Sequence, residues 1–405
     1  MKNNYKAIIV GGGASGLMCA IDLLRDENCL LGQDILILEK NDRVGKKLLA
    51  TGNGQANLSN VNLSANNYHG DKRLIDLFIQ GLNKINLQEY LENLGIPLTT
   101  ASDGKQYPLS KQANVVLDIF RQFLAYNNVN TLTNQTVVGI DKTKQGYLVK
   151  TEQNNFTCTN VVLAFGGSVG KQFGTDGSSY KLATNLGHEV TKLYPSLVQL
   201  KTNLNAIRGL KGLKEKVRVS AYDNGKLVKQ SEGDLLFTDF GVSGNAIFEV
   251  SSYLTNAKNP SINVEFLHWL TQEQIEEIID KRLSLKYLPK EEVLSCIINK
   301  RIGQAILKNC KEYSGKCIAN LLKNFRLEIT GNLGNNYAQV TKGGIQGKHI
   351  GDSYESTINE GLYVVGEALD VDGDCGGYNL TFAFISGILA SKGIKNNIKN
   401  RKGNL

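Results

Sequence analysis

In residues 6–10, KAIIV, four apolar residues follow Lys6 and make a run of strand length. Directly behind it, apolar residues recur at Leu17, Ala20, Ile21 and Leu24. That three-and-four spacing puts them on one face of a helix. A second short apolar run, DILILEK, ends in Glu39, and Val161–Phe165 form a third that runs into Gly166-Gly167. A helix is expected after it, from about Gly177 to Leu186. In the middle of the chain the period changes. KVRVSAYDNGKLVKQ alternates apolar and polar residues around Asp223-Asn224-Gly225, the pattern of a two-stranded hairpin. From Thr271 the spacing becomes helical again, with Thr271 and Gln274 placed as a capping box and PKEEVLSCIINKRIGQAILKNC continuing as helix. GLYVVGEALD then reads as a strand, and an apolar helix follows Gly376-Gly377. There is no internal repeat and no low-complexity segment.

The junction of the first strand and helix carries chemistry. Gly11-x-Gly13-x-x-Gly16 opens the helix, and Glu39 lies 23 residues beyond Gly16 at the end of the next strand. This is the βαβ dinucleotide fingerprint in its proper context. Gly11 allows the tight turn, Gly13 lets the backbone approach a pyrophosphate, and Gly16 lets helix and sheet close up. Ala14 and Ser15 begin the helix whose N–H groups face the phosphates. Glu39 is placed to accept from a ribose and would repel a 2′-phosphate, which disfavours NADP in this site. The next stretch, RVGKKLLATGNGQANLSN, is a loop of small polar residues where a nicotinamide enzyme would continue into another βα unit. Asn53 and Asn57 beside Gly52 suit a backbone lying along an extended cofactor, and the alternative is a plain N-G turn. Gly166-x-x-x-Gly170 is not a second fingerprint, so no dedicated NAD(P)H fold is expected.

Composition changes the picture in three places. Of 405 residues, 42 are glycine and only five proline, a skew that goes with backbone approaching a ligand. Seven scattered cysteines without C-x-x-C, no 18-residue apolar stretch and no signal-peptide pattern point to a cytoplasmic protein with no membrane span. The net charge of +8 is uneven: residues 201–229 hold eight Lys/Arg against Glu215 and Asp223, and residues 296–326 hold seven against Glu312. This is either a solvated face or a surface for a polyanion such as RNA. Four histidines, His69, His188, His268 and His349, form no cluster, so no metal site is expected. Asp370-x-Asp372-Gly-Asp374 begins like an EF-hand but has Cys375 and Thr381 where that loop needs glycine and glutamate. Ser243 in GVSGN lacks the spacing of a nucleophile elbow.

GGGASGL, GKKLLATGNGQANLSN, GDLLFTDFGVSGNAIF, GLYVVGEALDVDG and GGYNLTFAFISG together resemble a family of bacterial FAD proteins. That family includes BaiN-type bile-acid reductases, aminoacetone oxidase and rRNA dihydrouridine synthase. The resemblance spans residues 11–387. It implies an α/β fold: a discontinuous Rossmann-like FAD-binding domain with an inserted β-barrel and a small helical domain. The implied division is 1–190 and 336–405 for the FAD domain and 191–335 for the insert, with barrel at about 191–255 and 315–335 and helices at about 270–314. Non-covalent FAD is implied, with NAD(P)H as a transient electron donor. Implied cofactor residues, beyond the fingerprint glycines and Glu39, are Lys40, Lys47, Thr51, Gly52, Asn53, Asn57, Val138, Gly166, Gly167, Gly366, Glu367, Asp370, Gly376, Gly377, Tyr378, Asn379 and Leu380. Glu367 and Asp370 would bond the ribityl or pyrophosphate region, and the helix after Gly376-Gly377 would turn free N–H groups toward the flavin ring. The implied reaction is reduction of an activated C=C bond, with uridine in ribosomal RNA leading, an enone such as a bile-acid intermediate as alternative, and amine oxidation as a third reading. The family loop reads TGNGRCN, whereas Gln55 and Ala56 stand here in place of arginine and cysteine. Cys375, Tyr107 and Tyr378 are the remaining candidates for a proton donor.

Overall fold

The long apolar runs lack alternation because the strands they form are covered on both faces. In the computed structural model, which describes residues 3–25 and 29–403, Asn4–Val10 pairs in parallel with Ile35–Leu38 on one side and Asn155–Leu163 on the other. Asn130–Leu132 extends the sheet beyond Ile35–Leu38, and Leu362–Val364 extends it beyond Asn155–Leu163, both in parallel. Ala7, Ile8, Ile9, Ile35, Leu36, Ile37, Leu362, Tyr363 and Val364 are fully buried. Asn155–Leu163 is shared. Its first half pairs antiparallel with Gly146–Thr151 of a hairpin, and its last three residues pair with Leu362–Val364.

This sheet belongs to a compact unit built from both chain ends, up to Tyr194 and from Val340 onward; Pro195–Gln339 forms a second unit. In the first unit the helix Ala14–Leu23 is buried along nearly its whole length, against the closing helix Tyr378–Gly403. The approach is close enough that a Cβ at Gly387 would lie 2.5 Å from the Ser15 carbonyl oxygen. Lys395 Nζ reaches across to Asp22 Oδ2 at 2.9 Å, and Tyr90 Oη donates to Asp22 Oδ1 at 3.0 Å. The helix expected over Gly177–Leu186 is confined to Tyr180–Thr184, because Gly177 takes φ +81° and cannot carry a right-handed turn.

The second unit is a closed six-stranded barrel with helices. Its strand order is Leu200–Thr202, Gly241–Ser243, Lys226–Phe237, Lys214–Asp223, Pro260–Phe266, Phe325–Asn332. Alternation holds: Val217, Val219 and Ala221 are buried, and Arg218 points outward to Glu232 and Glu265. Asn224 and Gly225, at φ +49° and +78°, close the expected hairpin as its two central residues. The barrel strand Pro260–Phe266 lies between the two stretches that the sequence assigned to barrel.

Gln272–Leu283 begins on the expected capping box: Gln274 N donates to Thr271 Oγ1 at 3.3 Å and Thr271 N to Gln274 Oε1 at 2.9 Å. The run from Pro289 departs from expectation. It forms turns, and regular helix starts only at Lys300. The Arg282 guanidinium accounts for this by donating to the carbonyls of Val293 and Ser295, both at 2.7 Å, which a helix would have used itself. Among the described residues no helix is long and apolar enough to cross a membrane.

Candidate cofactor-binding site

The fingerprint turn is held by its own backbone. Gly11 N donates to Leu38 O at 2.8 Å, and Gly12 N donates to Glu39 Oε2 at 2.9 Å. Glu39 Oε1 accepts from the backbone and side-chain nitrogens of Asn41 at 2.8 and 2.6 Å. Three of about four acceptor positions on this carboxylate are therefore used within the protein, and one remains.

The glycines divide by what a Cβ would meet. At Gly11 it would lie 2.4 Å from Ala164 O, at Gly12 2.5 Å from Val44 Cγ1, and at Gly16 2.1 Å from Gly11 O. Those three serve close packing of the chain on itself. At Gly13 a Cβ would meet nothing within 4 Å. Gly13 is also the N-cap of Ala14–Leu23, no side chain caps that end, and the first turn holds no acid. The positive end of the helix dipole and its first N–H groups thus face open space at one residue, which suits a pyrophosphate.

The loop after Glu39 and the C-terminal turn are tied to this junction. Gly45 N donates to Gly12 O at 2.8 Å, and a Cβ at Gly366 would sit 2.5 Å from Ser15 Oγ. Lys47 Nζ lies 2.9 and 2.7 Å from the two oxygens of Glu367, and Glu367 Oε1 also accepts from Thr341 N at 2.9 Å. Glu367, expected to bond the cofactor, thus accepts three hydrogen bonds from the protein, as Glu39 does, and keeps one acceptor position. Gly166 and Gly167 are explained the same way, since Cβ atoms there would meet Thr175 Cγ2 at 2.8 Å and Thr341 Oγ1 at 2.1 Å. Asp370 lies over Gly70 and Asp71; burial and the Asp71 charge push its carboxyl above the usual range, against a hydrogen bond from Thr191 and the charge of Lys342. Lys40 pairs with Asp176 at 3.5 Å, and Val138 sits exposed on the hairpin strand Val137–Thr143.

In the TGNG segment Gly52 and Asn53 both take left-handed conformations, φ +57° and +55°, and both are exposed. Thr51 Oγ1 donates to Leu48 O at 2.7 Å. The segment's far end is stapled to the Gly376-Gly377 turn: Asn60 Nδ2 donates to Gly376 O at 3.0 Å, and the Asn57 amide, with its nitrogen turned to Ser59 O and its oxygen to Gly377 N, bonds each at 3.1 Å. In that orientation Asn57 engages the N–H of Gly377, directly before the closing helix. Asn379 closes its own turn, accepting from Gly373 N and donating to Gly373 O, both at 2.8 Å. Leu380 packs on the core. The acid-rich run is likewise folded into the protein: Asp374 meets His69 Nε2 at 2.9 Å and Asp372 is fully buried. Among the described residues no three His, Cys, Asp or Glu side chains are grouped to hold a metal ion.

Residues able to hold a proton gather where these segments meet. Ala56, at the position of the family cysteine, is 0% exposed. The strand Lys105–Pro108 presents Tyr107 and Lys105 instead. Tyr107 Cε1 lies 3.4 Å from where a Gly52 Cβ would be, and Lys105 Cε lies 3.5 Å from the corresponding point on Gly376. Lys105 Nζ is 2.5 Å from Asp103 Oδ2. Burial raises the Tyr107 hydroxyl above its ordinary pKa while the Lys105 charge pulls the other way, and the half-buried Cys375 thiol is close enough to both to act on each electrostatically. Tyr378 is buried, its ring packed edge-on against Tyr68 with centroids 6.0 Å apart. Lys105 was missed in the sequence, though its spacing of two from Tyr107 on a strand puts both on one face.

Known proteins resemble the chain along nearly its whole length. The HI0933-like protein Rossmann domain family matches residues 5–393. A 3-dehydro-bile acid delta(4,6)-reductase of Clostridium scindens is 31% identical over 402 residues, covering 95% of this chain and 97% of its own. A ribosomal RNA dihydrouridine synthase of Escherichia coli is 26% identical over 403 residues, covering 94% and 96%. Among solved structures, a 3-ketosteroid-delta4-(5alpha)-dehydrogenase of Rhodococcus jostii superposes with a TM-score of 0.52 at 14% identity, covering 97% of each chain; that likeness concerns the fold.

Proposed function

Since this chain belongs to the HI0933-like protein Rossmann family, we propose that it is an FAD-dependent reductase of an activated C=C bond, with uridine in ribosomal RNA as its leading substrate. The observation that carries the cofactor reading is the open face at Gly13, the one fingerprint glycine that the protein's own atoms leave uncovered, at an uncapped helix N-terminus. Bound FAD supplies hydride chemistry that side chains lack. The chain's part is to receive the pyrophosphate at Gly13, Ala14 and Ser15, to offer the last acceptor position of Glu39 to a ribose, and to line the cofactor with Gly52 and Asn53. Tyr107 holds the proton that the second carbon of the bond needs, with Lys105 and Cys375 beside it. Two relatives support the reaction class, because a delta(4,6)-reductase and a dihydrouridine synthase both saturate a C=C bond. The higher identity of the former favours, as second reading, an enone of the bile-acid type.

Purified protein is expected to be yellow and to release FAD into the supernatant on acid precipitation; colourless protein that cannot be reconstituted would refute the cofactor. Mass spectrometry of ribosomal RNA nucleosides from a deletion strain should show loss of dihydrouridine relative to the parent. Unchanged nucleosides together with anaerobic NAD(P)H-driven enone turnover would select the second reading, and peroxide release with an amine would select an oxidase. Tyr107→Phe should slow substrate reduction by about a hundredfold, the scale of a lost general acid. Its FAD content and the bleaching of the flavin by NAD(P)H should stay as in the parent, and equal turnover would move the proton donor to Cys375 or Lys105.

A further inference from the structure

The two basic runs at residues 201–229 and 296–326 both lie in the barrel unit, and part of their charge is paired with carboxylates there. Lys211 pairs with Asp239 and Lys214 with Asp234, each at 2.8 Å. Arg218 pairs with Glu232 and Glu265, Lys229 with Glu249, Lys300 with Glu292, and Lys323 with Glu265. Arg208, Lys308 and Arg326 are distinguished by sharing one groove. They come from three separate segments, all are exposed, and among the described residues none of them forms an ion pair. All three line one groove of about 420 Å³, in which Glu328 is the sole acid and Asn203, Asn205 and Asn309 add amides.

We propose that this groove binds backbone phosphates of an RNA substrate. A merely solvated face would be expected to spread its unpaired cations apart, since like charges repel. Here three cations converge on a concavity, two of them guanidinium groups whose planar forks match phosphate oxygens in pairs. The neighbouring amides can both donate to and accept from sugar hydroxyls and base edges. The groove is open, so its cations remain hydrated and the binding free energy comes largely from releasing counterions of the nucleic acid. The inference rests on the RNA reading above and adds the place where RNA is held.

The test is the affinity of the FAD-loaded full chain for transcripts tiling ribosomal RNA, measured across a salt series. The triple variant Arg208→Gln, Lys308→Gln, Arg326→Gln should bind at least about tenfold more weakly, with a salt slope shallower by about 2–3, roughly 0.7–0.9 for each phosphate that is no longer neutralised. FAD content and thermal midpoint should match the parent. The paired control, Lys211→Gln with Lys214→Gln, should leave affinity and slope close to those of the parent. Parent-like affinity and slope in the triple variant would overturn the groove. If dihydrouridine still disappears from the deletion strain, the RNA reading survives that result. A parent protein that binds none of the transcripts would overturn the groove, and with unchanged nucleosides would sink the RNA reading too.

Discussion

Gly13→Val should yield a soluble, folded protein that has lost most of its FAD, at least tenfold in occupancy after purification. The backbone there, φ −81° and ψ −174°, is extended and open to any L-residue. The new side chain meets no protein atom at its Cβ, so folding has little reason to fail. It does occupy the approach of a phosphate to the helix N-terminus. Absorbance of the bound flavin against protein concentration, with circular dichroism as the folding control, reads the outcome. Parent-like occupancy in a folded variant would mean that the pyrophosphate lies elsewhere. Gly16→Ala is the informative contrast: its Cβ would lie 2.1 Å from a backbone oxygen, so it should lose the fold along with the cofactor.

Lys395→Met should destabilise the protein by about 3–5 kcal/mol, the cost of leaving a buried carboxylate without its cation. Asp22 and Lys395 have side chains only 7% and 13% exposed, and the lysine also donates to Asp22 O at 2.9 Å. Tyr90 alone would then hold Asp22. Denaturant unfolding followed by fluorescence gives the value. The double variant Asp22→Asn, Lys395→Met should recover a large part of the loss, because no charge is left buried. A loss under about 1 kcal/mol in the single variant would show that the closing helix docks through apolar contacts alone.

What could be read from the chain in advance was local or strongly periodic. The sheet strands, the fingerprint helix, the barrel hairpin and the capping box at Thr271 depend on residues within a few positions of one another. The partners of polar side chains were not legible. Nothing near Glu367 in the sequence announces Lys47, which reaches it from 320 residues away, and nothing near Asn60 announces its bond to Gly376 O. Helical spacing after Pro289 was overridden by one side chain, Arg282, recruiting the carbonyls that a helix requires. The basic runs were visible as composition, but which cations find an acidic partner depends on cross-strand acids such as Asp234 and Glu265.

The strand Asn155–Leu163 has a consequence for how the protein is made. Its last three residues wait for Leu362–Val364, so a nascent chain carries an apolar, unpaired edge through synthesis of roughly 200 further residues, about 10–40 s at ordinary rates of translation. The barrel unit can complete itself within that interval, while the first unit stays an incomplete sheet without its closing helix. Chaperone dependence, aggregation of C-terminally truncated chains and late acquisition of flavin on the ribosome should therefore all track the emergence of that one short strand.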